Sequence, residues 1–327
     1  MKRQRPGFIL ALDIGGTKLA AALFDSHLNL LARSRMPTHA HKGPDAVFER
    51  LIQLAETVSA RAGIDLHRVR CIGVGCGGPL DTETGLIYSP PNLPGWDAYP
   101  LKETLEARFS TPAFVDNDAN AAAMAEHRFG AGRNRKNIFY ITVSTGIGAG
   151  LILDGKIYRG ANYSAGEFGH IVLEPNGPRC NCGGRGCLEA LASGTAIAKR
   201  AREEIKNAPT SLLAKSFANK THSLTAKDVV AAARQGDTLS AQILREAAHY
   251  IGLGITSAIH LLNPEIVIIG GGLTRAGKLL FDPIRTTVAE RAQHYIAHFV
   301  RIVPAKLGTR VGIYGALAVA LDRLPSR

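Results

Sequence analysis

No run of apolar residues in the 327-residue chain approaches the ~20 needed to span a bilayer. Runs such as Phe8 to Leu12 and Ile266 to Ile269 have strand length instead. The basic start, Met1 to Pro6, precedes no apolar region of signal-peptide length, because Asp13 interrupts the run. These absences point away from a membrane protein and from export, and make the cytoplasm the expected address. Low-complexity linkers are also missing. Acidic side chains are fewer than basic ones, 27 against 39, which leaves a net charge of +12. Such a surplus can mark nucleic-acid binding, but here the charges are scattered. The short clusters Lys2, Arg3, Arg5 and Arg133, Arg135, Lys136 carry no interleaved aromatics. No nucleic-acid or membrane partner is expected, and a basic field equally suits an enzyme that attracts ATP.

What is present is ordinary globular material: 46% hydrophobic and 20% charged residues, over a length that suits two domains. Phe8 to Asp25 reads as strand, tight turn, strand, with Asp13 ending the first apolar run and Gly15-Gly16-Thr17-Lys18 forming the turn. Ile138 to Leu153 repeats that grammar around Ser144-Thr145-Gly146-Ile147-Gly148, about 130 residues later. Helical spacing follows the first copy over Asp45 to Arg61, then a strand over Val69 to Val74, a helix over Leu101 to Phe109, a strand over Ala113 to Val115 and an Ala-rich helix over Ala119 to Phe129. In the second half, helices are expected near Ala190 to Lys206, Ala226 to Gln235, Thr238 to Leu262 and Gly312 to Leu324, with a strand over Ile266 to Ile269 running into Gly270-Gly271-Gly272. Alternating strands and helices predict an α/β architecture of two similar lobes.

The turn Asp13-Ile14-Gly15-Gly16-Thr17-Lys18 brings backbone N–H groups, a hydroxyl and an ammonium to one place, which is phosphate-binding chemistry; Asp13 there suits a Mg²⁺ ion held through water. The same composition also makes an ordinary β-hairpin turn. Thr145 and Gly146 in the second copy are suited to the other side of a triphosphate, so that a cleft between the two turns would clamp ATP. Asp116-Asn117-Asp118 stands before a helix: a carboxylate there suits a base that takes the proton of an attacking hydroxyl, and Asn117 suits a neighbouring hydroxyl, while Asp and Asn are also favoured helix N-caps. Gly73, Gly75 and Gly78 have dinucleotide-fingerprint spacing but run into Pro79 rather than a helix, and Gly272, Gly277, Lys278 have Walker A spacing but lack the hydroxyl that should follow.

His170, Cys180, Cys182 and Cys187 form a Cys₃His set, three of the thiols within eight residues. In a chain without a secretion signal this favours a metal over disulfides, and soft thiolates with one imidazole make a closed shell for structural zinc. Glu167 and Glu189 flank the cluster. They are either surface carboxylates or paired acceptors, held rigid by a zinc knot, for a polyhydroxylated ligand.

Together, DIGGTK at Asp13 to Lys18, DNDAN at Asp116 to Asn120, STGIGAG at Ser144 to Gly150, EFGH at Glu167 to His170 and CNCGGRGCLEALASG at Cys180 to Gly194 resemble the ROK family, which contains bacterial sugar kinases and sugar-responsive repressors. The resemblance covers essentially the whole chain. It implies an actin/hexokinase-like pair of ribonuclease-H-like lobes around a central ATP and sugar cleft, with residues 1–118 and 310–327 in a small lobe and 119–309 in a large one. It implies Asp118 as catalytic base toward a 6-hydroxyl, and Gly78, Asn92, Asn117, Glu167, His170 and Glu189 as sugar contacts. His170 would give one ring nitrogen to zinc and the other to sugar. Asp13, Gly15, Gly16, Thr17, Lys18, Thr145 and Gly146 would serve Mg²⁺-ATP phosphates, and Gly271 and Gly272 the adenosine. A homodimer or higher homo-oligomer is the family expectation.

Asn92-Leu93-Pro94-Gly95-Trp96 after Pro90-Pro91 resembles the glucokinase branch, which makes glucose the expected acceptor, and Gly77-Gly78-Pro79 resembles the sugar-side turn of these kinases. N-acetylmannosamine kinases share the zinc and EFGH-type motifs, so these motifs do not decide the sugar, and fructose and N-acetylglucosamine also stay open. The rival from another class is a sugar-responsive repressor, which would carry a helix-turn-helix ahead of the kinase-like body; only 12 residues precede Asp13 here. A non-catalytic sugar-binding protein is the third reading.

Overall fold

The computed structural model describes residues 7–217 and 220–324; the basic cluster Lys2, Arg3, Arg5 lies outside them. The first repeat folds as β1 (Phe8–Ile14) and β2 (Lys18–Phe24), antiparallel, and β3 (Leu30–Pro37) adds a further antiparallel edge. β4 (Val69–Cys76) runs parallel beside β1. After a two-stranded ribbon of β5 (Leu86–Ile87) and β6 (Tyr99–Pro100), β7 (Ala113–Asn117) runs parallel beside β4. The sheet order is β3-β2-β1-β4-β7.

Side-chain alternation along β1 decides what packs where. Leu10, Leu12 and Ile14 point to one face and join Val47, Leu51, Leu54 and Val58 of helix Pro44–Ala62. Ile9 and Ala11 point to the other face and join Ile313, Ala316, Leu317 and Ala320 of helix Val311–Arg323. Period two on the strand thus meets three-to-four spacing on each helix, and both faces of the sheet are covered.

The second repeat builds the same pattern. β8 (Ile138–Val143) and β9 (Ile147–Leu153) are antiparallel, β10 (Lys156–Tyr158) adds the edge, and β11 (Ile266–Gly270) and β12 (Arg301–Pro304) extend the other side in parallel. The order is β10-β9-β8-β11-β12. Helix Thr238–Leu262 packs on Lys278–Arg291, Ala226–Arg234 and Leu188–Ala192.

The chain divides into two compact units: Met1–Asn134 with Ile157–Ala165 and Lys306–Arg327, and Arg135–Lys156 with Gly166–Ala305. The division therefore differs from a boundary at Asp118. Helix Asp118–Phe129 lies with the first unit because it packs on Val311–Arg323, where Ala121 abuts Gly315. The helix expected near Ala190 to Lys206 is two helices, Leu188–Ala192 and Gly194–Glu204. Ser193 starts the second by accepting from Ala196 N at 3.1 Å. Among the described residues no helix is long and apolar enough to cross a membrane.

Glu126, wholly buried at the far end of helix Asp118–Phe129, accepts the backbone N–H groups of Ala131 at 2.7 Å, Lys306 at 3.1 Å and Leu307 at 2.8 Å. Glutamine at this position keeps one acceptor oxygen and turns an NH₂ toward donors. Glu126→Gln is expected to cost about 2–4 kcal/mol of stability. Urea unfolding checks this, and an unchanged midpoint would contradict it.

Candidate active site

The turn after β1 is tightly held. Gly15 N donates to Lys18 O at 3.0 Å, and buried Thr38 donates its hydroxyl to Gly15 O at 2.5 Å and its N–H to Thr17 O at 3.1 Å. The side chains of Thr17 and Lys18 stay exposed above it, and Gly16 packs against Asn92. Thr38 was not singled out by sequence; a lone Thr after a solvent-facing edge strand carries no signal. Asn92 is exposed on a loop anchored by Leu93 and Trp96, both buried, with the Trp96 ring 4.8 Å from that of Tyr99.

Asp13, one residue before the end of β1, pairs in register with Gly75 of β4. Its carboxylate lies against Gly312 near the start of helix Val311–Arg323, where any β-carbon would overlap it. Burial, with the charge of Asp118 adding to it, pushes the Asp13 carboxyl from the usual 3.8 up to about 7. A divalent cation beside two such carboxylates lowers that cost, so the site fits the Mg²⁺ ion that accompanies a nucleotide triphosphate.

β7 delivers Asp116-Asn117-Asp118 to this place. Asp116 is 1% exposed; it accepts from Asn117 N at 2.8 Å, Asn120 Nδ2 at 3.0 Å and Arg159 Nε at 2.8 Å. Asn117 caps the helix, accepting from Ala119 N at 2.8 Å, so the capping role that its residue type suggests is real. Its amide nitrogen faces Gly78, which leaves donors next to that turn. Asp118 is exposed at the first helical position.

In the second unit the turn between β8 and β9 closes through Ser144 N to Gly146 O at 2.9 Å. Its carbonyls are engaged by the start of helix Gly194–Glu204: Gly194 N donates to Ser144 O at 2.8 Å and the Thr195 hydroxyl to Thr145 O at 2.9 Å. Glu189 reaches the same turn and accepts from Ile147 N at 2.9 Å. Gly271 follows β11 at φ 90°, which only glycine adopts readily, and its backbone backs onto Val143, beside the Ser144 to Gly146 turn. Gly272 lies next to Ser144 Oγ. Thr145, Gly146, Glu189, Gly271 and Gly272 are thus brought together.

The Gly166 to His170 loop lines β9, with Ala149 N donating to Gly166 O at 3.0 Å. His170 meets the cysteines there. The ligand atoms of His170, Cys180, Cys182 and Cys187 all lie within 4.8 Å of one another. Cys180 Sγ is 3.7 Å from His170 Nδ1, and Cys182 Sγ is 3.7 Å from Cys187 Sγ. A tetrahedral ion with bonds of about 2.3 Å to sulfur separates sulfurs by about 3.7 Å, the spacing of Cys182 and Cys187, so the cluster is compatible with such an ion. The opposite nitrogen, Nε2, is 3.8 Å from Glu167 Oε2. Cys71 and Cys76 are buried free thiols in β4.

Duplicated sheets of this topology, a polar turn at the first hairpin of each and carboxylates at the strand ends define a phosphoryl-transfer enzyme of the actin-like, two-lobed class. The chain belongs to the ROK family, whose profile matches residues 9–323. It is 36% identical over 316 residues to a glucokinase from Thermotoga maritima, covering 97% of this chain and 98% of that one. Among solved structures it is similar to a ROK family glucokinase from Streptomyces griseus in complex with glucose and AMPPNP, at 33% identity and TM-score 0.79, covering 95% and 98%. It is also similar to a ROK family transcriptional regulator, homolog of the E. coli MLC protein, at 28% identity and TM-score 0.85, covering 96% of this chain and 78% of that one.

Between about pH 4 and 7 the folded chain holds a proton on Asp13 that the unfolded chain releases, so stability falls as pH rises through that window. Asp13→Asn removes the fall. In nucleotide-free protein its melting temperature is expected to exceed wild type by about 2–5 °C at pH 8 and to match it near pH 4. Scanning calorimetry at both pH values checks this; parallel pH dependence in the two proteins would contradict it.

Proposed function

We propose that the chain is an ATP-dependent glucokinase that phosphorylates the 6-hydroxyl of glucose, with Asp118 as the base. The observation that carries this reading is the Asp13 and Asp118 pair, one carboxyl pushed up to about 7 by burial and by the other, in a chain with a glucokinase relative over nearly its full length. An electron-rich pair at strand ends suits a reaction in which one carboxylate orients a metal-nucleotide and the other takes a hydroxyl proton. Asp118 would accept that proton, a role its exposure at a helix start supports, and Asn117 with the neighbouring Gly78 would serve the adjacent hydroxyls. The turn at Gly15 to Lys18 offers donors to phosphate oxygens, and Thr145 and Gly146, with Gly271 and Gly272 behind them, offer a second set. Asp13 would hold the Mg²⁺ ion, which when bound offsets charge on the transferring group.

The Cys₃His cluster is read as structural zinc held by His170, Cys180, Cys182 and Cys187. Its chemistry is to fix the loop and the ring of His170, leaving Nε2 beside Glu167 for sugar hydroxyls. Glu189 gives one oxygen to Ile147 N and keeps the other for sugar. The N-acetylmannosamine, N-acetylglucosamine and fructose readings, and the regulator reading, are not favoured by the glucokinase relatives. Association into homodimers is part of the proposal.

ADP release measured with Mg-ATP and each of glucose, N-acetylmannosamine, N-acetylglucosamine, mannose and fructose tests the reading. Glucose is expected to dominate, and Asp118→Asn to lower kcat by about 10³-fold or more while glucose affinity stays within a few-fold. No turnover by zinc-replete protein with any sugar would reject it.

In the metal-free chain burial pushes the Cys187 thiol up to about 12, so a metal must displace its proton. Zinc affinity is therefore expected to weaken by about tenfold or more for each unit of pH lowered from 8 to 6. Competition against a chromophoric chelator reads this directly. Cys182→Ser is expected to lose zinc and glucose affinity together; full retention of both would contradict the assignment.

A further inference from the structure

One guanidinium holds the carboxylate that binds residues on both sides of Asp118, the Asn117 N–H and the Asn120 side-chain amide. Arg159 belongs to Ile157–Ala165, a short segment that packs with the first unit although the chain on either side of it belongs to the second. Its Nε donates to Asp116 Oδ2 at 2.8 Å and its Nη2 donates to Asp322 Oδ2 at 2.8 Å. The Arg159 side chain is 15% exposed and that of Asp116 1%. The other oxygen of Asp116 receives the peptide N–H of Asn117 at 2.8 Å and the amide of Asn120 at 3.0 Å. A single buried carboxylate therefore grips residues 117 and 120, and Arg159 grips that carboxylate. Asp322 stands on helix Val311–Arg323, whose opposite end abuts Asp13 through Gly312.

We propose that Arg159 is a positioning residue for phosphoryl transfer: by bridging Asp116 and Asp322 it fixes the start of helix Asp118–Phe129 to the terminal helix, and so fixes the Asp118 carboxylate relative to Asp13. The inference rests on the reading of Asp118 as the base. A buried carboxylate without a cation is strongly disfavoured, so the Asp116 grip depends on Arg159. Only a guanidinium fork reaches two carboxylates at once in a fixed plane, and a lysine ammonium keeps the charge without the bridge. A misplacement of about 1 Å in a reacting group costs about 10²-fold in rate, so looseness at this bridge is read in kcat. The segment itself is braced, with Ala165 N donating to Arg159 O at 3.0 Å.

The test compares wild type, Arg159→Lys, Arg159→Met, Asp322→Asn, the double variant Asp116→Asn with Arg159→Met, and Asp118→Asn, each measured for kcat, glucose KM and melting temperature. Asp322→Asn touches only the half-exposed partner and Arg159→Lys keeps the buried charge paired, so both are expected to fold. The double variant removes both buried charges and guards against a misfolded Arg159→Met. Expected losses in kcat are about 3- to 10-fold for Asp322→Asn, about 10-fold for Arg159→Lys and about 100-fold for Arg159→Met and the double variant, with glucose KM within about threefold throughout. A purely structural role would lower melting temperature and leave kcat per folded molecule unchanged. Wild-type kcat in Arg159→Lys and in the double variant, or losses confined to KM, would overturn the inference. If wild type is active and Asp118→Asn is not, such a result removes only the role of Arg159. If wild type makes no sugar phosphate, or Asp118→Asn remains active, the underlying reading falls and the inference with it.

Discussion

Two carboxylates held close enough to repel each other, Asp13 and Asp118, are the constraint around which the first unit is arranged. Burial beside Gly312 and the neighbouring charge push Asp13 up to about 7, so the folded chain carries an electrostatic cost at this point. The packing of both faces of β1 offsets it: Leu10, Leu12 and Ile14 on one side and Ile9 and Ala11 on the other leave the strand no freedom to draw Asp13 away. Cost of this kind is common where function demands it, and a divalent cation bound there would relieve it.

The two units share a strand order but differ in electrostatics. The first hairpin turn has Asp13 before it and Lys18 at its end; the second, from Ser144 to Gly146, has no charge of its own and instead receives the carboxylate of Glu189. The carbonyls of the second turn are already occupied by Gly194 N and Thr195, while in the first turn Thr38 plays that bracing part from a neighbouring strand end. The repeated topology supplies rigid strand ends, and the residues placed on them separate the chemistry: carboxylates and an ammonium in one unit, a thiol and imidazole knot beside the other.

Much of this was legible in the sequence. The strand, turn, strand grammar was readable because apolar alternation and glycine turns are local signals, and Thr238–Leu262 stands out for the same reason. The Cys₃His set was readable because soft ligands crowd into one loop. Less visible was β3, whose sequence Leu30–Pro37 alternates with exposed basic residues on an edge, and helix Lys278–Arg291, which runs unbroken through Pro283, a residue that reads as a helix breaker. The division of the chain escaped a reading by motif, because helix Asp118–Phe129 is placed by tertiary packing on a helix almost 200 residues later. Glu126 and Arg159 escaped for a related reason. Each acts through partners distant in sequence, Lys306 and Leu307 for the one and Asp116 and Asp322 for the other, and no spacing rule marks them. Asn117 shows the opposite case, in which a cap and a ligand candidate are one residue with two ends.

The most direct test of the central claim is to follow the transferred phosphorus by ³¹P NMR in a mixture of the zinc-loaded protein, Mg-ATP and glucose. The account predicts one new phosphomonoester signal, coupled to the two protons on carbon 6, growing in step with ADP. Inorganic phosphate with no phosphoester, or a phosphoester at another carbon, would contradict it.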